Sequence, residues 1–507
     1  MGFPPLPFID STAEDLIESL EQGHFTSLGL VKGYHDRIKR MNPTFNAVVE
    51  LNPDAYAIAR ELDDERREGR IRGPLHGLPI LIKGNIGTPG SYALQDAVLP
   101  ADSTIAARLR QNGLIILGKT SLTEWSMFRA NNWGHAWSPI SGQTYGAYYP
   151  RQCPGGSSSG SAVAVDLDFA WAAVGTETSG SIVSPSERNN IVGIKPTVGL
   201  TSRHLVVPVS EHQDTVGPMA RTVKDAVRLL QVLAGPDEND QYTLASPYGA
   251  SIPNYLSHCN VAGLRGKRIG IARNVINGSP IDISQTLLDF ESAICVMKDA
   301  GAIIIGNTDF TYLAEWKKRE YNCVTRADFA TNIVDFLNKL EHNPSKIDSV
   351  ESIRSFTRCH PAEDYPKRST STWDTIMEKY LSNKSPEFES LYQKNLFLGG
   401  EGGVLGALES HNLDAIALPT TVAYEIPALV GSPIITVPLG TASADTAVTM
   451  EPLDDVVEMA PGIPFGISFL GAKWSESTLI EIAFSFEQNT LVRKNTVRPK
   501  FSLLDGS

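Results

Sequence analysis

Gly77-Leu78-Pro79-Ile80-Leu81-Ile82-Lys83 is an apolar run that ends in a lysine. A short continuous apolar stretch of this kind reads as a buried strand. Upstream of it, the first 70 residues read as helical. Ser11 or Thr12 is placed to cap a first helix, with Glu14 near the third position. Residues 28–41 carry apolar side chains at helical spacing, and residues 54–67 do so with a charged outer face. Downstream, residues 114–117 read as a strand, and 170–174 form an apolar run of either type. Residues 268–272, 282–299 and 302–306 read as strand, helix and strand, a βαβ-like unit. Further strands are expected at 413–418, 433–438 and 464–470, and a last long helix at 475–488. The alternation predicts an α/β fold with a large mixed and largely buried β-sheet. No internal repeat, low-complexity linker or charge block divides the chain. One domain over residues 1–507 is expected, with 307–409 as a more variable, peripheral helical region.

Composition bounds the function. The chain has 507 residues, 42% of them hydrophobic and 20% charged, as in an ordinary globular protein. Its formal net charge of −13 argues against nucleic acid or an anionic membrane surface as a partner. The five cysteines, Cys153, Cys259, Cys295, Cys323 and Cys359, are odd in number and scattered, with no C-x-x-C. Neither a disulfide framework nor a zinc site is expected from that spacing. Met1 to Asp10 offer no basic segment followed by an apolar run, and Leu6 breaks the myristoylation pattern. No run of 18 apolar residues predicts a membrane span. A cytoplasmic location is the default, with secretion after removal of a leader left open. Asn277-Gly278-Ser279 fits a glycosylation sequon, a triplet that arises often by chance.

Two segments rich in small residues stand out. Pro154-Gly155-Gly156-Ser157-Ser158-Ser159-Gly160-Ser161-Ala162 lets backbone approach backbone or ligand closely. A phosphate-binding loop would require a lysine after the last glycine, and none follows. Gly156 to Gly160 match the G-x-S-x-G nucleophile elbow, but the residues before them are mixed and turn-like where an apolar strand is required. A flexible linker is the plain alternative, against which stands the apolar run Ala162-Val163-Ala164-Val165 that follows at once. The second segment is Gly175-Thr176-Glu177-Thr178-Ser179-Gly180-Ser181-Ile182-Val183. A serine in such a turn can expose its hydroxyl beside converging backbone N–H groups, the arrangement an oxyanion hole needs. The ten histidines sit in no catalytic pattern. Lysine can replace histidine as a base when burial disfavours its charge. Lys83 fits that role, although a lysine ending a strand often just reaches to solvent.

Taken in order, these pieces closely resemble the amidase signature family, nearest to its peptide-amidase and fungal-amidase branch. The resemblance extends over most of the chain. It includes Gly73-Pro74-Leu75-His76-Gly77-Leu78-Pro79-Ile80 before the lysine and Gly193-Ile194-Lys195-Pro196-Thr197-Val198-Gly199-Leu200 after the second serine. Residues 210–222, from Ser210-Glu211-His212-Gln213-Asp214 to Arg221-Thr222, continue it, as do 431–438 and 461–466. The resemblance implies an α/β amidase-signature fold with helices on both faces of the sheet, and a catalytic core of about 70–235 and 410–490. It implies a Ser-Ser-Lys relay: Ser181 as nucleophile, Ser157 on a cis peptide bond as proton relay, Lys83 as base. It implies an oxyanion and substrate site at Thr178, Ser179, Gly180 and Ser158, with no metal or cofactor. The expected partner is a small-molecule amide, and homo-oligomerisation stays open.

Three departures from the family pattern stand close to the relay. Gly84 follows Lys83 where an aspartate is usual, Ser179 replaces another aspartate, and Gly87-Thr88-Pro89-Gly90-Ser91 is shorter than in relatives. Removing carboxylates near a lysine alters its charge balance. The implied activity is hydrolysis of a carboxylic amide through an acyl-enzyme. Capture of the acyl group by an amine, and a non-catalytic binding protein on the same fold, are the alternatives. A role within a tRNA-dependent amidotransferase complex fits less well. Pocket residues are expected from 125–149 and 312–398. Trp125, Trp133, Trp137, Tyr145 and Tyr148 suggest either an apolar or aromatic acyl group, or core packing.

Overall fold

The computed structural model describes residues 8–87, 90–131, 134–320, 322–453 and 456–496. The start of the chain before Phe8, Thr88 and Pro89 of the short loop, and Trp133 lie outside them. The N-terminal part is helical as its periodicity requires: α1 (Ala13–Glu21), α2 (Ser27–Phe45) and α3 (Ala55–Arg67). Thr12 caps α1, and the reciprocal partner of that capping box is Asp15 rather than Glu14.

Eleven strands make one mixed sheet. They are β1 (Val48–Leu51), β2 (Pro79–Lys83), β3 (Ile115–Thr120), β4 (Ala172–Glu177), β5 (Val192–Lys195), β6 (Thr215–Ala220), β7 (Arg268–Ile271), β8 (Ile303–Gly306), β9 (Ala415–Pro419), β10 (Ile434–Thr441) and β11 (Pro464–Leu470). The spatial order is β1-β3-β2-β4-β6-β5-β10-β11-β9-β7-β8. β2 runs parallel to both β3 and β4, whereas β4, β6 and β5 alternate in direction. β7 and β8 are parallel, as the βαβ pattern predicts, and Ser284–Asp299 is the helix between them. Every residue of β2, β4, β6, β9 and β11 is buried. Successive side chains of a strand point to opposite faces, so both faces of these strands are covered.

Three strands escape a reading by pattern: β1, β5 and β6. β6 has the sequence Thr215-Val216-Gly217-Pro218-Met219-Ala220, in which glycine and proline read as breakers. It pairs with β4 along its whole length, but β5 reaches only Met219 and Ala220, so that ladder ends before Pro218.

Between Leu313 and Ser410 the described chain is helical and contributes no strand to the sheet. A buried arginine ties this region to the rest. Arg129 Nη1 lies 2.7 Å from Glu124 Oε2 and 3.3 Å from Glu363 Oε2, with all three side chains fully buried. Its Nη2 donates to the carbonyls of Glu363 and Arg368, each at 2.7 Å. Ser91 Oγ donates to the other Glu363 oxygen at 2.8 Å. Burial and the neighbouring Glu363 push the Glu124 carboxyl well above its usual range, and the Arg129 guanidinium opposes that shift as the counter-charge of the buried acid pair. Arg129→Met is therefore expected to cost about 3–5 kcal/mol, since it strands buried acids without a counter-charge. Urea unfolding followed by circular dichroism checks this, and a loss below about 1 kcal/mol would mean the network contributes little.

Candidate active site

The C-terminal ends of the parallel strands β2 and β4 bring Lys83 and Thr176 side by side. Lys83 is completely buried. Its Nζ lies 2.7 Å from Ser157 Oγ, 2.9 Å from Thr176 Oγ1 and 3.2 Å from the Thr176 carbonyl. Asn85 Nδ2 donates to the same threonine hydroxyl at 2.9 Å. Among the described residues, no carboxylate touches the amine. Burial therefore dominates and pulls Lys83 down to about 7, although Asp214 and Glu177 nearby favour its charged form.

Ser157 stands in the small-residue loop, after a cis Gly156–Ser157 peptide bond. The loop runs directly into helix α4 (Ser159–Asp166), every residue of which is buried. A Cβ on Gly160 would come within 2.2 Å of the Ala47 carbonyl and 2.5 Å of the Ser121 nitrogen. Only glycine lets the backbones meet there, which fixes the start of α4 and with it the Ser157 loop. The Ser158 N–H donates to the Ser181 carbonyl at 3.1 Å, so the two serine segments lie against each other.

Ser181 follows β4 in a turn organised by Glu177. That carboxylate accepts the N–H of Gly180 at 2.8 Å, of Ile182 at 2.7 Å and of Val183 at 3.0 Å. Thr178 Oγ1 donates to Asp214 at 2.6 Å, and Asp214 also accepts the N–H groups of Val209 and Ser210. Burial pushes the Asp214 carboxyl up to about 6 against those bonds. Gly180 has φ +83, and a Cβ there would sit 2.8 Å from the Tyr424 ring. Among the described residues, Ser181 Oγ and the amides of Thr178, Ser179 and Ser181 have no protein hydrogen-bond partner. Ser181, Thr178 and Ser179 line a cavity of about 430 Å³.

Two expectations for the site are corrected. The Gly180 N–H is held by Glu177, so it is not available to a ligand in this arrangement. Ser158 is buried away from the cavity, and its hydroxyl is spent on β4: it donates to the Thr176 carbonyl at 3.1 Å and accepts the Thr176 N–H at 3.3 Å. The aromatic residues also fall differently from the apolar-pocket reading. Trp125 packs edge-on against Phe329 and Trp373 in the core, and the Tyr148 hydroxyl donates to Asp166. Trp137 lies under the Arg368 guanidinium. None of these three, nor Tyr145, lines the cavity around Ser181. That wall does come from the expected stretches, through Ser126 to His135 and Arg319 to Asn395, but it is mostly polar. Of the departures, Gly84 passes its N–H to the Thr120 carbonyl at 3.0 Å, and Ser91 serves the Glu363 network rather than the cavity.

A profile of the Amidase family matches residues 29–480. The chain belongs to the amidase family. Among its relatives is a protein of Arthroderma benhamiae, provisionally named an amidase, 49% identical over 97% of this chain and 88% of its own length. The peptide amidase of Stenotrophomonas maltophilia has the same fold, with a TM-score of 0.86 and 33% identity over 97% of this chain and all of that one. One component of the glutamyl-tRNA(Gln) amidotransferase of Carboxydothermus hydrogenoformans is more distant, at 28% identity over 96% of this chain and 99% of its own. Membership of the amidase family bears out the resemblance carried by the motifs and the expected α/β architecture. It leaves Thr176, Glu177, Asn85 and Asp214 as residues whose places in the site pattern reading did not assign. Two of them carried a signal: Glu177 and Asp214 are charged residues inside small-residue or strand-like segments, where a carboxylate is costly unless it is used.

Proposed function

We propose that this amidase hydrolyses a carboxylic amide bearing a polar, peptide-like acyl chain, through an acyl-enzyme on Ser181. The observation that carries the reading is the Lys83–Ser157 contact, with no carboxylate partner for the amine among the described residues. A neutral amine has two hydrogens and one lone pair. Thr176 offers two acceptors, so the lone pair is left for the Ser157 hydroxyl. Lys83 then takes the Ser157 proton while Ser157 takes the proton of Ser181, which attacks the amide carbonyl. The amides of Thr178, Ser179 and Ser181 are the donors for the developing oxyanion. Ser157 returns a proton to the leaving amine, without which the amide nitrogen would depart as a strong base. Water then attacks the acyl-enzyme by the same relay and releases the carboxylic acid.

The polar wall supports the acyl preference. Gln213, Asn322, Asn395 and Glu425 face the same cavity as Arg319 and Arg326. A polar site left unpaired by an apolar ligand pays the desolvation of its groups, which disfavours aryl and fatty amides. The likeness to a peptide amidase points the same way. A panel of peptide C-terminal amides, anilides and fatty amides, followed by mass spectrometry, tests the reading. Peptide amides are expected to release ammonia with kcat/KM about 10-fold or more above the apolar amides. Turnover confined to anilides or fatty amides overturns the acyl assignment, and absence of any acid product overturns the amidase reading itself.

A further inference from the structure

A second group of chemically active side chains lies beside the catalytic loop. His135 lines the cavity that holds Ser181. Cys153 is buried four residues before Ser157. Glu451 comes from the far end of the chain. The three offer one donor atom each, all within 4.8 Å of one another. His135 Nε2 lies 3.7 Å from Glu451 Oε1, and Cys153 Sγ lies 3.7 Å from the same oxygen.

We propose that His135, Cys153 and Glu451 form a zinc-binding site in the wall of the substrate cavity. Bond lengths of about 2.0–2.2 Å to nitrogen and oxygen and about 2.3 Å to sulfur give a tetrahedral site N···O and S···O edges of about 3.4 and 3.6 Å. The observed separations are within a few tenths of an ångström of those edges. The His135–Glu451 separation is too long for an ordinary N–H···O hydrogen bond, while the Cys153 thiol reaches the Glu451 oxygen directly, a contact that an ion between the three would replace.

The charged groups around the three also suit a cation. Glu458 stands beside Glu451, and Arg188 Nη1 lies 3.4 Å from Glu458 Oε1. In the loaded site the Cys153 thiolate, Glu451 and Glu458 would carry three negative charges, which Arg188 and one dication balance; without an ion, burial keeps the Cys153 thiol and the Glu451 carboxyl above their usual ranges. A sulfur and an imidazole in the set favour zinc or cobalt over magnesium or calcium. Coordination forms a Zn–S bond as the Cys153 thiol proton leaves to solvent, and no electron transfer is involved. A metal held there would tie the cavity wall to the root of the Ser157 loop.

The test uses the full chain, stripped with a chelator, titrated with Zn²⁺ by calorimetry and with Co²⁺ by absorption. One equivalent of zinc is expected, with a thiolate-to-cobalt charge-transfer band in the near ultraviolet. Cys153→Ser should abolish the band and weaken zinc binding by roughly 100-fold or more. His135→Gln and Glu451→Gln should each weaken binding similarly, which guards against a Cys153 variant that folds poorly. Cys295→Ser, at an exposed cysteine, should change neither readout. Absence of the band in the parent protein, a band that follows Cys295 instead of Cys153, or undiminished zinc affinity in the His135 and Glu451 variants overturns the site.

Discussion

Ser181→Ala protein is expected to fold as the parent does and to lose amide turnover by roughly 10⁴- to 10⁶-fold. The two halves of that expectation come from the same geometry. Ser181 Oγ has no protein partner among the described residues and only 6% of the residue is exposed, so removing the hydroxyl opens neither a broken network nor a large void. Its stability should change by no more than about 0.5 kcal/mol. The loss of activity is large because the other serines of the two catalytic segments that adjoin the base are committed elsewhere: Ser157 faces Lys83, and Ser158 is bonded to the backbone of β4. A fluorophosphonate probe read by mass spectrometry should label Ser181 in the parent and nothing in the variant. Parent-like turnover in a folded Ser181→Ala protein would remove Ser181 from the mechanism.

Lys83→Met is expected to lower kcat/KM by about 10⁴-fold, with Ser157 left without a base. Methionine keeps the volume of the buried stem, so the loss reads chemistry more than packing. The parent enzyme carries a second signature of the same residue. Lys83 is a base only when neutral, and burial holds its pKa at about 7. As pH rises through that value the neutral fraction grows, so kcat/KM should climb about tenfold per unit below it and level off above it. A profile that is flat from about pH 5 to 9 would exclude lysine as the base.

Lys83, Ser157 and Ser181 are weak signals taken singly, a strand ending in lysine and two glycine-serine turns, and it is the ordered resemblance to the amidase signature family around them that singles them out. The strands around them are legible where apolar runs are continuous, as in β2, β9 and β11. They are lost where a central strand contains Gly217 and Pro218, since proline's missing N–H is tolerated only because β5 stops short, a fact of the neighbouring strand. The disagreements over Gly180 and Ser158 have a similar origin. Whether an N–H or hydroxyl faces a ligand depends on who else claims it, and Glu177 and the Thr176 backbone are the claimants here. The proposed zinc ligands are the extreme case. Residues 135, 153 and 451 have no spacing that local pattern could recognise, so the absence of a Cys or His motif does not bear on them.

The arginine at the junction of core and outer helices sets a rule for recombination among relatives. Residues 307–409 are the natural segment to exchange when a new acyl pocket is wanted, because they supply Arg319, Arg326 and Asn395 to the cavity. They are not a free-standing cassette. Glu363 brings its charge into a seat made by Ser91, Glu124 and Arg129, which remain behind in the host. A graft lacking an acid at that place would leave Arg129 facing one carboxylate instead of two and Ser91 without its acceptor. Successful chimeras should therefore keep the four residues as a matched set, and a library sorted for folded members should show them inherited together.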